Sequence, residues 1–287
     1  MLPILRWTGS KRYQAEEIVS RIPDNVSVYY EMFLGGGSVL GEYLTQLEGT
    51  KKHCDRIVGV DLNKDLISIW EMIRDNPDGL LSEYEKLYSK FEPLDDIGRK
   101  NFYNEIRDQY NYLLKNDLDQ FKRTILFNWL MRTCFNGLVR YDKNGNFNTS
   151  CHFTRHGMTP INMEKLITTW SYLLNNHRVE FFNCSYSEVA DSFKATDFMY
   201  LDPPYANDAG MYFHESFDNN TFFNWLRQVE CKWLLSYDGI SGKDNNTYDV
   251  PKDLWSEHLY VNSKQSGFKK LVKNDCCEVY DSLYVSR

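Results

Sequence analysis

The sequence predicts an α/β fold in which helices flank a sheet, and three observations support this prediction. Short apolar runs rich in strand-forming residues stand near both ends of the 287-residue chain. The long stretch between them has helical spacing of its apolar residues instead. A glycine turn follows the first run, as in loops that join a strand to a helix. We therefore expect one sheet domain built from both ends of the chain, with a helical segment inserted into it.

The amino-terminal part supplies the first two predicted strands. Residues 28–33 are the first apolar run, residues 34–38 are the glycine turn, and residues 39–47 continue with helical spacing. Residues 56–61 form a second apolar run that ends on Asp61. Helical periodicity then predominates over residues 66–74, 80–91, 99–114 and 121–134.

Strand signals resume in the carboxy-terminal part. The predicted strands cover residues 179–182, 197–201 and 232–236, and residues 222–229 form a helix before the last of them. Residues 278–285 alternate between apolar and polar side chains, which indicates an edge strand.

One hairpin signal interrupts the helical segment. The pair Asn144-Gly145 stands between alternating residues, and a type I′ turn favours this pair because both of its central positions need positive φ. The predicted domains are a sheet domain over residues 1–64 and 177–287, and a helical domain over residues 65–176 with a hairpin near residues 137–150.

The charge of the chain argues against a nucleic-acid partner, and its aromatic content argues for a flat ligand. The net charge is −7, from 33 Lys+Arg against 40 Asp+Glu, whereas nucleic-acid binders are expected to be basic. Aromatic residues reach 15%, and ordinary charged and apolar fractions exclude a disordered or coiled-coil chain. Local charge resolves the conflict, because residues 122–156 alone carry a net charge of +5.

The seven cysteines are odd in number and form no Cys-x-x-Cys pair, so neither a disulfide framework nor a zinc site is predicted. Cys151, His152 and His156 lack a fourth ligand at metal spacing, and we expect no metal. No apolar run reaches membrane length, and the first residues are too soon interrupted for a signal peptide. We expect a cytoplasmic monomer that does not enter a membrane.

The glycine turn and Asp61 form the first motif with a chemical meaning. A glycine turn at the end of a strand lets a ligand approach the backbone, and an acid on the neighbouring strand can accept both ribose hydroxyls of an adenosine. The third glycine of the dinucleotide fingerprint would fall on Leu40, so no pyrophosphate is predicted. A nucleoside without phosphates fits, and S-adenosylmethionine is the commonest such cofactor. An ordinary tight turn beside a solvated aspartate is the alternative.

The second motif is Asp202-Pro203-Pro204-Tyr205, which follows an apolar strand. The prolines remove ladder hydrogen bonds and stiffen the turn, so the carbonyls of Asp202 and Pro203 are free to accept. The Asp202 carboxylate adds an acceptor, and Tyr205 adds a flat face. Together they fit an exocyclic amino group on a planar base whose ring stacks on the tyrosine. A turn-forming loop is the alternative.

These motifs resemble those of N6-adenine DNA methyltransferases of the DNA adenine methylase type, the D12 class. The resemblance runs from residue 3 to about residue 215 in the family's order. Besides the two motifs it includes residues 6–11, 59–68, 135–141, 145–148 and the strand before residues 184–186. It implies a Rossmann-like S-adenosylmethionine-dependent methyltransferase sheet with helices on both faces, plus an inserted helical DNA-recognition domain that carries the β-hairpin.

The resemblance also implies roles for single residues. The catalytic motif is Asp202, Pro203, Pro204 and Tyr205, and Lys11 is expected near the carboxylate of the cofactor. The residues expected at the cofactor are Trp7, Lys11, Phe33, Gly35, Gly37, Ser38, Asp61, Leu62, Ser185 and Asp202. Ser185 departs from the family, which often has Asp there, and the short acidic stretch 206–212 replaces a longer loop. Residues 241–254 look like an insertion particular to this chain.

The basic stretch is predicted to contact double-stranded DNA, since a protruding hairpin with asparagine side chains can read base edges in the major groove. In the resemblance, Asn136 and Arg140 fall in a DNA-contacting region, and Phe135 stands where some relatives carry an intercalating aromatic. The predicted DNA-contacting residues are Arg123, Phe135, Asn136, Arg140, Lys143, Asn144 and Asn146. A solvated basic surface is the alternative.

The expected reaction is site-specific methylation of adenine N6 in double-stranded DNA, by direct transfer from S-adenosylmethionine to a flipped-out base. Tyr205, with Tyr212 or Phe213, would stack on the flipped base. The alternatives are an N4-cytosine methyltransferase, which Asp202 in place of serine disfavours, an RNA or protein-glutamine methyltransferase, and a catalytically silent DNA-binding relative. In a restriction-modification pair, a separately encoded restriction endonuclease would be a further partner.

Overall fold

The α/β fold is confirmed by a computed structural model, which describes residues 3–152, 154, 156–189, 192–204, 217–263 and 278–287. One sheet runs through these residues in the order β3-β2-β1-β4-β5-β8-β7, with β6 paired to β5. The strands are β1 (Asn25–Glu31), β2 (His53–Val60), β3 (Val179–Phe182), β4 (Phe198–Leu201), β5 (Lys232–Ser241), β6 (Asp244–Asn245), β7 (Trp255–Asn262) and β8 (Val279–Ser286).

Helices cover both faces of the sheet and fill the long interval between β2 and β3. They are α1 (Ala15–Ser20), α2 (Ser38–Gly49), α3 (Lys64–Asp75), α4 (Pro77–Phe91), α5 (Asp96–Lys115), α6 (Gln120–Thr133), α7 (Pro160–Asn176) and α8 (Asn219–Leu226). Asparagine or aspartate side chains cap α3, α4, α5 and α6 by accepting backbone N–H groups of the first turn. None of the helices among the described residues has the length and apolar composition that crossing a membrane requires.

The strand order places a crevice between the carboxyl ends of β1 and β4. From β1 the chain builds outward through β2 and β3 on one side, and it then returns to lay β4 on the other side. The pairings of β1 with β2, of β1 with β4 and of β2 with β3 are all parallel. The carboxyl ends of these four strands therefore lie at one edge of the sheet. In open α/β sheets such a reversal of strand order is where ligands bind.

The last strand was wrongly predicted to be an edge strand. β8 lies between β5 and β7 and is antiparallel to both, so the edge is β7, which the sequence analysis did not predict. Alternation shows that one face of a strand is more buried than the other, but it does not show how many neighbours the strand has. The supposed insertion packs onto this side of the sheet through the buried side chains of Val250 and Leu254.

The helical interval contacts the sheet through α3, whose Trp70 ring lies 6.1 Å from that of Phe181 in β3, and α7 packs on α3 and α2. The rings of Trp70 and Trp170 lie 4.8 Å apart, and Trp170 also packs over Gly41 of α2. Helix α6 is buried on every side, with Phe127 and Trp129 fully enclosed. The division of the chain at residues 64/65 and 176/177 stays a prediction.

The segment after α6 is a hairpin with isolated β-bridges, at Cys134–Cys151 and Tyr141–Phe147. The predicted type I′ turn was wrong, because Gly145 has positive φ (79°) and Asn144 does not. The N–H of Gly145 donates to the carbonyl of Asp142, and the N–H of Asp142 donates to the carbonyl of Asn146. This pattern fits a three-residue loop with a glycine bulge, and the Asp142 carboxylate stabilises it by accepting two backbone N–H groups.

Candidate active site

The glycine turn after β1 has no room for a larger residue at Gly35 or at Gly37. Gly35 and Gly37 have φ of 48° and 62°, in the left-handed region that glycine tolerates. A Cβ on Gly35 would lie 2.9 Å from Nε1 of Trp7, and one on Gly37 would lie 2.6 Å from Cζ2 of Trp70. The turn therefore lies in close contact with the amino-terminal segment on one side and with α3 on the other, and Trp7 lies against it.

Asp61, which follows β2, is bonded to the glycine turn. Its Oδ2 accepts the N–H of Gly35 at 2.9 Å, and its Oδ1 accepts the N–H of Asn63 at 2.9 Å. Burial raises the pKa of Asp61, and these backbone hydrogen bonds oppose the rise. Each carboxylate oxygen has a second lone pair, so two further donors such as a pair of ribose hydroxyls can be accepted.

The loop after β3 lies at the same edge of the sheet as the loop after β2 and is bonded to it. The Asn183 side chain donates to the carbonyls of Asp61 and Leu62, at 3.0 and 2.9 Å. Leu62 is 52% exposed beside it, and the Ser185 N–H donates to Glu188. The predicted cofactor residues in the β2 and β3 loops are thus brought together.

Phe33 and Ser38 lie at the two ends of the glycine turn. The Phe33 ring contacts the Tyr186 ring, with centroids 5.6 Å apart, and Ser38 shares a 2.6 Å hydrogen bond with Ser10. Both contacts tie the turn to neighbouring loops of the same edge.

Asp202 follows β4 directly and forms an ion pair with Lys11. Lys11 Nζ lies 2.8 Å from Asp202 Oδ1, and the lysine side chain is only 6% exposed. Burial raises the pKa of Asp202 to about 6, while the Lys11 ammonium lowers it and the Asp281 carboxylate raises it. Lys11 was predicted near the cofactor's carboxylate. In the structure its ammonium is paired with Asp202, the acid of the second motif.

Three polar residues beside this pair were missed by the sequence analysis. Asp281 of β8 lies 3.8 Å from Lys11 Nζ and accepts a 2.9 Å hydrogen bond from Gln14. Glu31, the last residue of β1, is buried and accepts a 3.0 Å hydrogen bond from the Tyr29 hydroxyl. Burial raises the pKa of Glu31 to about 8, so it is largely protonated at neutral pH. An acid inside an otherwise apolar run was a signal for Glu31, since acids are rarely fully buried.

The turn after α6 lies beside the amino-terminal segment. Asn136 and Gly137 have φ of 55° and 68°, and the Thr8 hydroxyl donates to the Gly137 carbonyl at 3.3 Å. Phe135 stacks on His152, with ring centroids 5.5 Å apart. The turn that carries Phe135 and Asn136 is therefore joined to the segment that carries Trp7.

The hairpin presents polar side chains outward. Arg140, Lys143 and Asn144 are exposed, and Arg140 bonds to the Asn148 side chain at 2.6 Å. Asn146 is half-buried, and its amide donates to the Asp142 carboxylate. The first three are accessible to a large partner, whereas the Asn146 side chain is engaged within the turn.

Arg123 does not lie where the predicted DNA contact requires, and this prediction is corrected. Its side chain is 2% exposed, and its guanidinium bonds to Asp65 at 2.6 Å and to Asp117 at 2.9 Å. The count of basic residues in the stretch could not reveal this, because Asp65 lies 58 residues earlier in the chain. Arg132 is also buried.

Part of the predicted site lies outside the described residues. Tyr205, Tyr212 and Phe213, and with them the acidic stretch 206–212, belong to this part. Among the residues that are described, no group of His, Cys, Asp and Glu side chains could hold a metal ion.

The crevice combines a glycine turn, an acid suited to ribose hydroxyls and a half-buried acid that follows β4, which is an arrangement that fits a nucleoside-containing ligand. Residues 7–268 match the sequence model of the D12 class N6 adenine-specific DNA methyltransferases. The chain therefore belongs to this family.

Named relatives agree with the match. The chain is 35% identical over 209 residues to the Type II methyltransferase M.MjaIII of Methanocaldococcus jannaschii, which covers 71% of this chain and 68% of that protein. It is 24% identical over 294 residues to the Type II methyltransferase M1.LlaDCHI of Lactococcus lactis subsp. cremoris, covering 98% and 95%. It is 26% identical over 204 residues to a DNA adenine methylase of Haemophilus influenzae, covering 71% and 64%.

The activity that the family defines is adenine-specific methylation of DNA with S-adenosylmethionine as the methyl donor. The prediction of an adenine-specific DNA methyltransferase is thereby confirmed, together with its cofactor and with DNA as its substrate.

Proposed function

We propose that this chain methylates N6 of an adenine flipped out of double-stranded DNA at a specific sequence, and that Asp202 is the acceptor on which the reaction depends. The observation that carries the proposal is the position of Asp202. It follows β4 at the reversal of strand order, with Asp61 following β2 on the other side of β1. A carboxylate there faces the crevice in which a nucleoside would bind.

The residues around the glycine turn fit S-adenosylmethionine. Asp61 supplies acceptors for the ribose hydroxyls, and the backbone approaches closely at Gly35 because Trp7 leaves no room for a Cβ. Trp7, Phe33, Gly37, Ser38, Leu62 and Ser185 complete the proposed cofactor-binding set. The cofactor, when bound, supplies an electrophilic methyl group on a sulfonium.

Asp202 acts on the amino group of the target base. The lone pair of the adenine amino nitrogen is delocalised into the ring, so the nitrogen is a weak nucleophile. Hydrogen bonds from its two protons to the Asp202 carboxylate and the Pro203 carbonyl localise that lone pair toward the methyl group. Positioning and electrostatics then supply the catalysis, and the methyl group is transferred directly, without a covalent enzyme intermediate.

An ionised Asp202 is needed for this role. With a pKa of about 6, the carboxyl group is mostly ionised at neutral pH and accepts hydrogen bonds with both oxygens. Pro204 stiffens the loop, and Tyr205 is proposed to stack on the flipped base.

We propose the turn after α6 and the hairpin as the DNA-contacting surface. Arg140, Lys143 and Asn144 are exposed there, as groups that contact phosphates or base edges must be. Phe135 and Asn136 stand at the base of the hairpin beside Thr8 and the cofactor residues. A base leaving the duplex at this turn therefore has the crevice next to it.

Other features of the proposal follow from the relatives and the substrate. Two of the relatives are named as Type II methyltransferases, which supports a restriction-modification pair with a separately encoded endonuclease. The proposed catalytic domain is residues 1–64 and 177–287, and the proposed DNA-recognition domain is residues 65–176. We also propose that the enzyme acts as a monomer in the cytoplasm.

Transfer of a tritiated methyl group to duplex DNA tests the proposal. Label should appear on adenine N6, and Asp202→Ala should lower kcat by a factor on the order of 10³ because the main acceptor is lost. Asp24→Ala, an exposed acid far from the crevice, is the matched control and should retain full activity. Full activity of Asp202→Ala would refute the proposed role of the carboxylate.

A further inference from the structure

Lys11 lies between two carboxylates that come from different strands of the sheet. Its Nζ is 2.8 Å from Asp202 Oδ1 and 3.8 Å from Asp281 Oδ2. β8 is antiparallel to β5, so its first residues reach the edge at which the parallel strands end. This topology brings Asp281 to the crevice, although β5 separates its strand from β4.

Gln14 fixes the position of Asp281. Its side-chain amide donates to Asp281 Oδ2 at 2.9 Å, and Gln14 is only 1% exposed. The backbone N–H of Gln14 donates to the Lys11 carbonyl, so the two residues belong to one turn. Asp281 therefore holds the amino-terminal turn at two points, the ammonium of Lys11 and the amide of Gln14.

Asp202 and Asp281 differ in how available they are to a ligand in the crevice. Asp202 lies in the family's catalytic motif and pairs with Lys11 through Oδ1, whereas the Asp281 oxygen nearest to Lys11, Oδ2, already accepts the Gln14 amide. One ammonium paired with Asp202 alone would neutralise the carboxylate and weaken it as an acceptor of further hydrogen bonds. A second carboxylate shares the ammonium and restores negative charge at the site.

We propose that Asp281 is a positioning residue for methyl transfer, which holds Lys11 and so leaves the Asp202 carboxylate able to accept the amino group of the target base. This inference rests on the proposed role of Asp202. When the base amino group binds Asp202, Asp281 retains the ammonium in place, and Lys11 need not return to solvent. Asp281 acts through Lys11 and does not touch the base.

The other groups that face Asp202 do not substitute for Asp281. Glu31 on β1 is close enough to interact with Asp202, but it is largely protonated at neutral pH and contributes little charge. The Tyr200 hydroxyl, on β4 itself, is neutral because burial raises its pKa far above the ordinary value. Among the described residues, the charged groups that act on Asp202 are therefore Lys11, which lowers its pKa, and Asp281, which raises it.

The test compares Asp281→Asn with Asp281→Glu in the full-length protein, using the pH profile of kcat/KM for methyl transfer to duplex DNA. Asp281→Asn keeps the shape and removes the charge. We expect kcat/KM at pH 8 to fall by a factor on the order of ten. The acid limb of the profile should also move to lower pH, because the carboxylate that raises the pKa of Asp202 has gone. Asp281→Glu should restore both values at least in part.

The outcomes separate this inference from the proposed function. If the wild type does not label adenine, or Asp202→Ala keeps its activity, the proposed function fails. If both of those controls behave as expected but Asp281→Asn matches the wild type in rate and in acid limb, only the inference on Asp281 fails. Reduced activity with an unmoved acid limb, or equal losses in Asp281→Asn and Asp281→Glu, would mean that Asp281 is merely a structural tie, and this also overturns the inference.

Discussion

Two clusters of this molecule contain one basic residue between two aspartates, yet they differ in what remains available to a ligand. In the crevice, Lys11 lies between Asp202 and Asp281. In the helical segment, Arg123 lies between Asp65 and Asp117. We call them the crevice cluster and the helical cluster.

In the helical cluster, Asp65 and Arg123 are enclosed and bonded to several partners within the protein. Asp65 accepts from Arg123 and from Gln120 on Oδ1, and from the Tyr110 hydroxyl on Oδ2. Arg123 and Asp65 are 2% and 3% exposed, so no partner from outside can reach them. The guanidinium suits this role because its planar fork can serve several acceptors at once.

The crevice cluster is not saturated. Within the described part of the chain, Lys11 is the residue that bonds to Asp202, and the aspartate side chain is 19% exposed. A carboxylate with open lone pairs at a ligand crevice can exchange partners, whereas one enclosed among its hydrogen-bond donors can only hold the fold together. A basic residue between two aspartates is therefore open to a ligand in one place and gives structural support in the other.

The largest expected effect concerns the helical cluster. Arg123→Met should lower the free energy of unfolding by about 3–5 kcal/mol, because it leaves Asp65 as a buried charge without its cation. Denaturant unfolding measures this change. The folded fraction should bind DNA as the wild type does, since Arg123 is enclosed. Lost DNA binding with wild-type stability would return Arg123 to the DNA-contacting surface, and Lys122→Met is a matched exposed control.

The next effect concerns Asp61 and the cofactor. Asp61→Ala should weaken S-adenosylmethionine binding by roughly ten- to a hundredfold, since it removes acceptors for the ribose hydroxyls and frees the N–H of Gly35. Calorimetric titration of the cofactor measures the affinity. Asp55→Ala, an exposed change on the same strand, serves as the control. Unchanged affinity would remove Asp61 from the cofactor site.

A smaller effect is expected on the DNA-contacting surface. Arg140→Ala should weaken binding to a duplex by a factor of about ten, because one exposed guanidinium contact to a base or phosphate is lost. Binding measured at several salt concentrations shows which contact it is, since a phosphate contact reduces the salt dependence and a base contact changes sequence preference. Arg107→Ala, on α5, should leave DNA binding as it is. Equal affinities of Arg140→Ala and the wild type would exclude Arg140 from the surface.

How far the sequence could predict these features depends on how local each one is. The second motif was visible because Asp202 and its prolines are contiguous and follow an apolar run. The ribose-binding role of Asp61 was visible because the acid follows an apolar run shortly after the glycine turn, and the family resemblance agreed with it. The burial of Arg123 and the place of Asp281 depend on contacts between residues far apart in the chain, 58 residues in the case of Arg123 and Asp65. No pattern within a short window reports such contacts.

The strands also differ in whether local sequence was enough to predict them. β3 was predicted with its bounds at Val179–Phe182, since a short run rich in strand-forming residues, bounded by polar residues, is a local signal of a strand. β7 was missed because most of its side chains are exposed or half-exposed and give no apolar run. The position of β8 beside β5 could not be predicted either, because strand order is set by the whole sheet. Since that order brings Asp281 to the crevice, the sequence analysis missed the residue together with the topology.

The smallest expected effect is the pH dependence of the wild type, and it tests the open state of the crevice cluster directly. Burial raises the pKa of Asp202 to about 6, so the group is ionised above this pH and takes up a proton as the pH falls through it. Since a protonated carboxyl is a poorer acceptor, kcat/KM should fall about fourfold between pH 7.5 and pH 5.5. The carboxylates of the helical cluster should not contribute to this fall in kcat/KM, because they do not take part in the reaction. A profile that is flat down to pH 5, with the protein still folded by circular dichroism, would mean that protonation of Asp202 does not limit the reaction in this range, and the open state of the crevice cluster would then lose its support.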